Sequence, residues 1–390
     1  MEPAQPLMCD KCRRPVQAVQ ERCDHCRKKR PADGWAVDAR VGQPLLGSLK
    51  VIQRIGYGAT GGVYLAEDPG TGDRVVVKYL HGALASEPEL VKRFRVEAVV
   101  TKELNIPQVV RTFDFGRTDD GTPYLTMEYV PGTGLREAMG SGTMTMEDAL
   151  EVMRQILMAL EVAHKRCVIH RDLKPGNIIL SRDPEGHLLV KILDFGFAKV
   201  LADRHDGFHH TVKVTRDRII LGTPHYMSPE QAKGAMDLDG RTDLYSLGVM
   251  LYMMMTGVPP FNSEVPMEII QMHLTQPPKT PSSLCPTIPQ EMDRIILKLL
   301  EKKPEDRYAT ASEVLADLDR LYPAGASKWN IEQISNNAID TSDLLMQVGR
   351  YVEDSIQVPD PSKNNWPVAL YVAGAGAAAL AILTLWWLFS

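Results

Sequence analysis

Cysteine is sparse in this 390-residue chain: six residues, four of them within the first 26. The other two, Cys167 and Cys285, lie far apart, so the even spacing of a small disulfide-stapled secreted domain is missing. The opening MEPAQPLMCDKCRR holds no apolar run, which excludes a secretory signal peptide there and makes export of the main body an unlikely expectation. A basic excess is lacking as well. The net charge is −5, which gives no case for a nucleic-acid partner. Long-period repeats and extended low-complexity tracts are absent, which excludes a solenoid. One further absence is local: residues 367–389 carry no charge at all, in a chain that is 24% charged overall.

What is present divides the chain. Residues 1–30 are Cys-rich and basic, and residues 31–45, with Pro, Gly and no periodicity, read as a linker. Residues 46–321 alternate strand-like stretches such as RVVVKYL with helix-like ones such as EDALEVMRQILMALEVAH. Residues 322–366 are polar again. Within them, DLLMQVGRYVEDSI places Leu344, Leu345, Val348, Tyr351 and Val352 on one helical face.

The large region opens with IGYGATGGVYLAED, a Gly56-x-Gly58-x-x-Gly61-x-Val63 loop preceded by Ile55. Glycines let a backbone approach phosphates without a Cβ in the way. The same spacing marks dinucleotide folds, but here a turn and a second strand follow instead of a long helix, so a hairpin is expected. Lys78 near the end of that strand can reach phosphates as a point charge, and Glu97 on the following helix can pair with it. VIHRDLKPGNIIL then supplies His170, Arg171, Asp172, Lys174 and Asn177, and VKILDFGFAK supplies Asp194. Phosphoryl transfer asks for such parts: a carboxylate to orient a hydroxyl and take its proton, oxygen ligands for Mg²⁺, and cations over the phosphates.

In their order these motifs resemble the eukaryotic-type (Hanks-type) serine/threonine protein kinases, in a style closest to the bacterial members. The resemblance implies an α+β bilobal protein kinase fold, with a small β-rich N-lobe and a larger helical C-lobe, over residues 46–321. It implies ATP and Mg²⁺ (or Mn²⁺) as cofactors and proteins as substrates. By it, Asp172 is the catalytic base, Lys174 contacts the transferred phosphoryl group, and Asn177 and Asp194 hold magnesium. Lys78 binds the α and β phosphates and pairs with Glu97. Ile55, Gly56, Gly58, Gly61 and Val63 cover the nucleotide. Met127 is the gatekeeper, and residues 128–130, with Glu128 and Val130, form the adenine hinge. Glu230 is expected to pair with Arg307, and Asp243 to brace the catalytic loop. The family usually has Ala where Val76 stands, so a tighter adenine pocket is expected. A catalytically silent kinase-fold scaffold is the alternative, disfavoured because Lys78, Asp172 and Asp194 are all in place. Arg171 before the catalytic Asp implies regulation by an activation-segment phosphate, with Thr211 or Thr215 as the autophosphorylation site.

The two ends add further expectations. Cys9-x₂-Cys12-x₁₀-Cys23-x₂-Cys26 can present four thiolates tetrahedrally to a structural Zn²⁺ and resembles a small zinc ribbon. Cys167, in an apolar stretch, is expected in the core. At ~1.5 Å per residue, residues 367–389 reach roughly 34 Å, enough for a ~30 Å hydrocarbon core. Trp366 at one end and Trp386 with Trp387 at the other suit membrane interfaces. A single-pass C-terminal membrane anchor with a cytoplasmic kinase domain is therefore expected. Gly374 and Ala378 offer a face for a second copy, a possible homodimer.

Overall fold

The computed structural model describes residues 7–9, 15–17, 20–23, 27–32, 36–45, 49–57, 61–80, 82–140, 144–195, 224–235 and 237–323. Near the N-terminus, strands β1 (Leu7–Met8), β2 (Pro15–Val16) and β3 (Ala36–Val37) form a small antiparallel sheet in the order β2-β1-β3. The next strand, β4 (Pro44–Leu45), already belongs to the main sheet. That sheet continues with β5 (Leu49–Tyr57), β6 (Gly61–Glu67), β7 (Arg74–Leu80), β8 (Thr112–Arg117) and β9 (Pro123–Glu128), in the order β4-β5-β6-β7-β9-β8. The expectation of a linker over residues 31–45 is thereby corrected: the stretch contributes to both sheets. Two-residue strands hold no repeat, so periodicity could not reveal them. They are fixed instead by backbone bonds, Gly42 N–H to Val51 O at 2.8 Å and Val51 N–H to Gln43 O at 3.0 Å. Gly42 sits at φ 85°, a turn conformation that costs glycine nothing.

Strand β7 is apolar on both faces because both faces are covered. On the inner side, Val76 and Leu80 pack with Leu125 and Met127 of β9 against Phe94 and Ala98. The latter two lie on a helix that follows a short α1 (Gly82–Ala85), namely α2 (Pro88–Leu104). Helix α2 starts with Pro at its first position and ends at Asn105 in the left-handed region, φ 43°. On the outer side, Val77 and Tyr79 join Tyr64, Tyr124, Val51 and Leu45. The three tyrosines meet edge to face, Tyr64 to Tyr79 at 5.4 Å and Tyr79 to Tyr124 at 6.2 Å between centroids. Arg40 lies 4.2 Å from the Tyr79 ring centroid. Full burial of one such large side chain contributes about 1.5–3 kcal/mol. From residues 38–45, Asp38 and Leu45 are therefore buried in this lobe, and Val41 packs against its core.

The helical lobe begins after β10 (Thr133–Gly134) and α3 (Leu135–Gly140) with α4 (Met146–Lys165). Thr145 caps α4 by accepting from Asp148 N–H, and Glu147 and Asp148 in its first turn suit the helix dipole. Strand β11 (Ile178–Arg182) pairs antiparallel with β10 on one side and with β12 (Leu188–Ile192) on the other, and β12 lies on α4, where Gln155 donates to Leu188 O and accepts from Val190 N–H. Below them come α5 (Pro229–Ala232), the buried α6 (Arg241–Thr256), α7 (Pro266–Thr275), α8 (Pro281–Leu284), α9 (Gln290–Leu299) and α10 (Ala311–Leu321). The α+β bilobal expectation holds for the described residues. Cys167 corrects another expectation: it is exposed, at φ 57°, in the turn that closes α4. Its apolar neighbours Val168 and Ile169 are buried, while the turn points Cys167 outward.

Among the described residues no helix is long and apolar enough to cross a membrane. The span expected at 367–389 and the amphipathic stretch 343–356 lie outside the described residues, as do Gly58, Cys12, Cys26, Thr211 and Thr215.

Candidate active site

The phosphate loop is the β5–β6 hairpin. Gly56 pairs with Val63, and Ile55 on β5 is half exposed. Gly61 must be glycine: a Cβ there would lie 1.6 Å from the Tyr79 carbonyl oxygen. From β7, Val76 faces Met127 across the β7–β9 ladder, and both are buried. Val130, part of the expected hinge, packs at the edge of that inner cluster. Glu128 turns instead to Lys191 at 2.9 Å and the Arg111 N–H at 3.1 Å, which ties the start of the hinge to β12.

Lys78 is buried and is held by two carboxylates. Its Nζ donates to Asp194 Oδ1 at 2.7 Å and to Glu97 Oε1 at 3.4 Å. Burial works against its charge, but Asp194 and then Glu97 outweigh it and hold Lys78 above its ordinary value. Glu97, the more distant and fully enclosed partner, is pushed up to about 7, first by burial and further by the Asp194 charge, against Lys78. The Asp194 side chain is 39% exposed, whereas that of Lys78 is 9% exposed. Its backbone is left-handed, φ 44°. The next residue, Phe195, is fully buried 4.9 Å from the His170 ring, and His170 Nε2 lies 3.1 Å from Leu193 O.

The catalytic loop is braced from beneath. Asp243 of α6 is fully buried and accepts from His170 N–H, Arg171 N–H and His164 Nε2, each at 2.8 Å. Burial alone would raise its carboxyl, but the hydrogen bond and charge of His164 hold it below the usual range. Arg171 adopts φ 64°, a strained conformation for an L residue, and its carbonyl accepts from Gln231 Nε2 at 2.7 Å. Above this brace, Lys174 Nζ donates to Asp172 Oδ2, and Asn177 Nδ2 donates to Asp172 O at 2.9 Å. The Asn177 amide and the Asp194 carboxylate are hard oxygen donors from the two loops that flank the cleft, a set that suits Mg²⁺.

Glu230 and Arg307 form the expected pair, bidentate at 2.8 Å for both bonds, with Thr242 donating to Glu230 Oε1 at 2.9 Å. His164 and Gln231 were missed by sequence reasoning, because neither lies in a chemical motif. Missed too was a buried centre on the outer face, where Arg54 and Tyr64 meet Asp38. The double-sided apolar run of β7 was the available signal that something covers that face. Of the four N-terminal cysteines, Cys9 and Cys23 are buried and packed together.

Comparison with known proteins agrees with this geometry. The protein kinase domain family matches residues 49–318. Serine/threonine-protein kinase Pkn1 of Myxococcus xanthus is 43% identical over 264 residues, 68% of this chain and 37% of that protein. Serine/threonine-protein kinase PknB of Mycobacterium tuberculosis is 39% identical over 272 residues, 69% of this chain and 42% of that protein. The chain thus spans about two fifths of the length of these curated relatives. Among solved structures, the kinase domain of Mycobacterium tuberculosis PknI is similar at 27% identity and a TM-score of 0.54, over 73% of this chain and 99% of that one. With a family match over residues 49–318, most of its length, the chain belongs to the protein kinase family.

Proposed function

We propose that this chain is a serine/threonine protein kinase that transfers the ATP γ-phosphoryl group to hydroxyls of proteins. The observation that carries the reading is the arrangement of Lys78, buried against Asp194 and Glu97, with Lys174 paired to Asp172 and its charge acting on Asp194. Asp172 orients the substrate hydroxyl and accepts its proton. The hydroxyl oxygen bonds to the γ-phosphorus as the bond from that phosphorus to the bridging oxygen breaks, and ADP leaves. Lys78 binds the α and β phosphates, and Lys174, already beside Asp172, steadies the transferring group. Magnesium bound at Asn177 and Asp194 supplies charge neutralisation on the phosphates. Arg171, with Thr211 or Thr215, makes the enzyme subject to autophosphorylation.

A structural Zn²⁺ on Cys9, Cys12, Cys23 and Cys26 completes the reading, supported by the packing of Cys9 on Cys23, the leading residues of the two C-x₂-C pairs. Residues 367–389 anchor the kinase to a membrane, supported by their length and lack of charge. The test is labelled phosphate transfer from Mg-ATP to an added generic protein, followed by phosphoamino-acid analysis. Label on serine or threonine is expected. Label on tyrosine alone, or none while nucleotide binds, would count against the proposal.

A further inference from the structure

The residues ahead of the kinase match are seated on the strands that carry the phosphate loop. Asp38 Oδ2 accepts from Arg54 Nη1 at 2.9 Å and from the Tyr64 hydroxyl at 2.8 Å. The Arg54 and Asp38 side chains are 3% and 2% exposed. Arg54 and Tyr64 are register partners in the β5–β6 ladder, and the next pair toward the loop is Gly56 with Val63. The buried charge centre therefore sits one step behind the residues that cover the nucleotide phosphates.

The same arginine reaches the cysteine module. Arg54 Nη1 lies 3.7 Å from Met8 Sδ. Met8 pairs with Ala36 in the β1–β3 ladder, and Asp38 follows β3 directly. Cys9, next to Met8, is fully buried against Cys23. Each link from Cys9 to Gly56 is thus a neighbour in sequence or a direct contact. A buried charge pair of this kind fixes registry more than it adds stability, and removing one partner leaves the other uncompensated.

We propose that the N-terminal segment is an intramolecular brace for the phosphate loop. Asp38 acts as a positioning residue through Arg54 and Tyr64, and the metal state of the cysteine module is coupled to nucleotide affinity. The metal half rests on the zinc reading above, while the Asp38 half stands without it. Release of the brace frees β5 to shift against β6, and the Gly56–Val63 pair is then held less firmly beside the phosphates. The expected signature is weaker nucleotide binding with an unchanged chemical step, because Asp172 and Asp243 lie in the other lobe.

The test uses the full chain in detergent, with zinc content from elemental analysis and binding of a non-hydrolysable Mg-ATP analogue by calorimetry. Asp38→Ala is expected to keep its zinc and to bind the analogue about tenfold more weakly, within the ordinary range of coupling between sites. Its kcat should stay within about twofold of wild type. Asp38→Asn, which retains an acceptor and is the safer variant for folding, should lie between the two. Hydrogen exchange should rise at residues 56–62 and not along α4. Zinc removal should weaken nucleotide binding in wild type and leave Asp38→Ala unchanged. By linkage the analogue should tighten zinc by the same factor. Wild-type nucleotide affinity in both Asp38 variants, or exchange raised evenly over both lobes, overturns the brace even if zinc is present. A chain that holds no zinc overturns the metal half, and the Asp38 variants still decide the rest.

Discussion

The two faces of the six-stranded sheet each bury a cation against a carboxylate, and the two centres are built differently. On the outer face, Arg54 and Asp38 are enclosed and tied at 2.9 Å, and Tyr64 supplies a second donor to the same carboxylate oxygen. On the inner face, Lys78 is shared between Asp194 at 2.7 Å and Glu97 at 3.4 Å, and Asp194 stays 39% exposed. A closed centre holds geometry. A centre with one partly exposed carboxylate can exchange partners with a ligand. The contrast separates structure from chemistry within one lobe.

The comparison can be sharpened by substitutions on either side of it. The largest effect belongs to the cleft. Asp172→Asn should lower phosphoryl transfer by about 10²- to 10⁴-fold, as loss of a general base does. Steady-state transfer assays should show that loss while the thermal midpoint and nucleotide binding stay near wild type. Breaking a buried ion pair away from the cleft should cost stability instead. Arg307→Met strands Glu230, whose carboxyl burial would raise but Arg307 holds down, and should cost about 3–5 kcal/mol in denaturant unfolding. Next in size is Leu45→Ala, on the strand that covers the outer face. A loss of about 2–3 kcal/mol is expected for a truncated core leucine, and no loss would deny that β4 belongs to the core.

The smallest effect is a pH dependence. Glu97, raised in the folded state to about 7, binds a proton there that it lacks when unfolded, so its contribution to stability falls as pH rises from about 4.5 through about 7. Glu230 and Asp243 are held low, so theirs is present above the ordinary carboxylate range and is lost as pH falls through it. Thermal midpoints followed against pH should show both limbs, and Glu97→Gln should flatten only the upper one.

Most of the cleft was legible in the sequence because its chemistry is concentrated in short runs. Asp172, Lys174 and Asn177 lie within six positions, and the Asp194 motif follows on the next strand pair. Asp243, Glu230 and Arg307 could be placed only because a family resemblance supplied their partners, since they lie far apart along the chain. The outer centre had no such help. Asp38 is 16 residues from Arg54 and 26 from Tyr64, inside a stretch whose Pro and Gly read as a linker. Its burial is set by tertiary contacts that no local pattern encodes. Cys167 failed for a related reason: apolar neighbours report the burial of a segment, while a left-handed turn decides where one side chain points.

The central claim is that the cleft around Lys78, Asp172 and Asp194 transfers phosphate. The most direct measurement is the intact mass of the chain before and after incubation with Mg-ATP, with Asp172→Asn alongside. The account predicts mass gains in steps of one phosphate in the wild type, mapping to Thr211 or Thr215, and none in the variant although it still binds nucleotide. Equal gains in both chains, or none in either with a generic protein substrate also left unmodified, would contradict it.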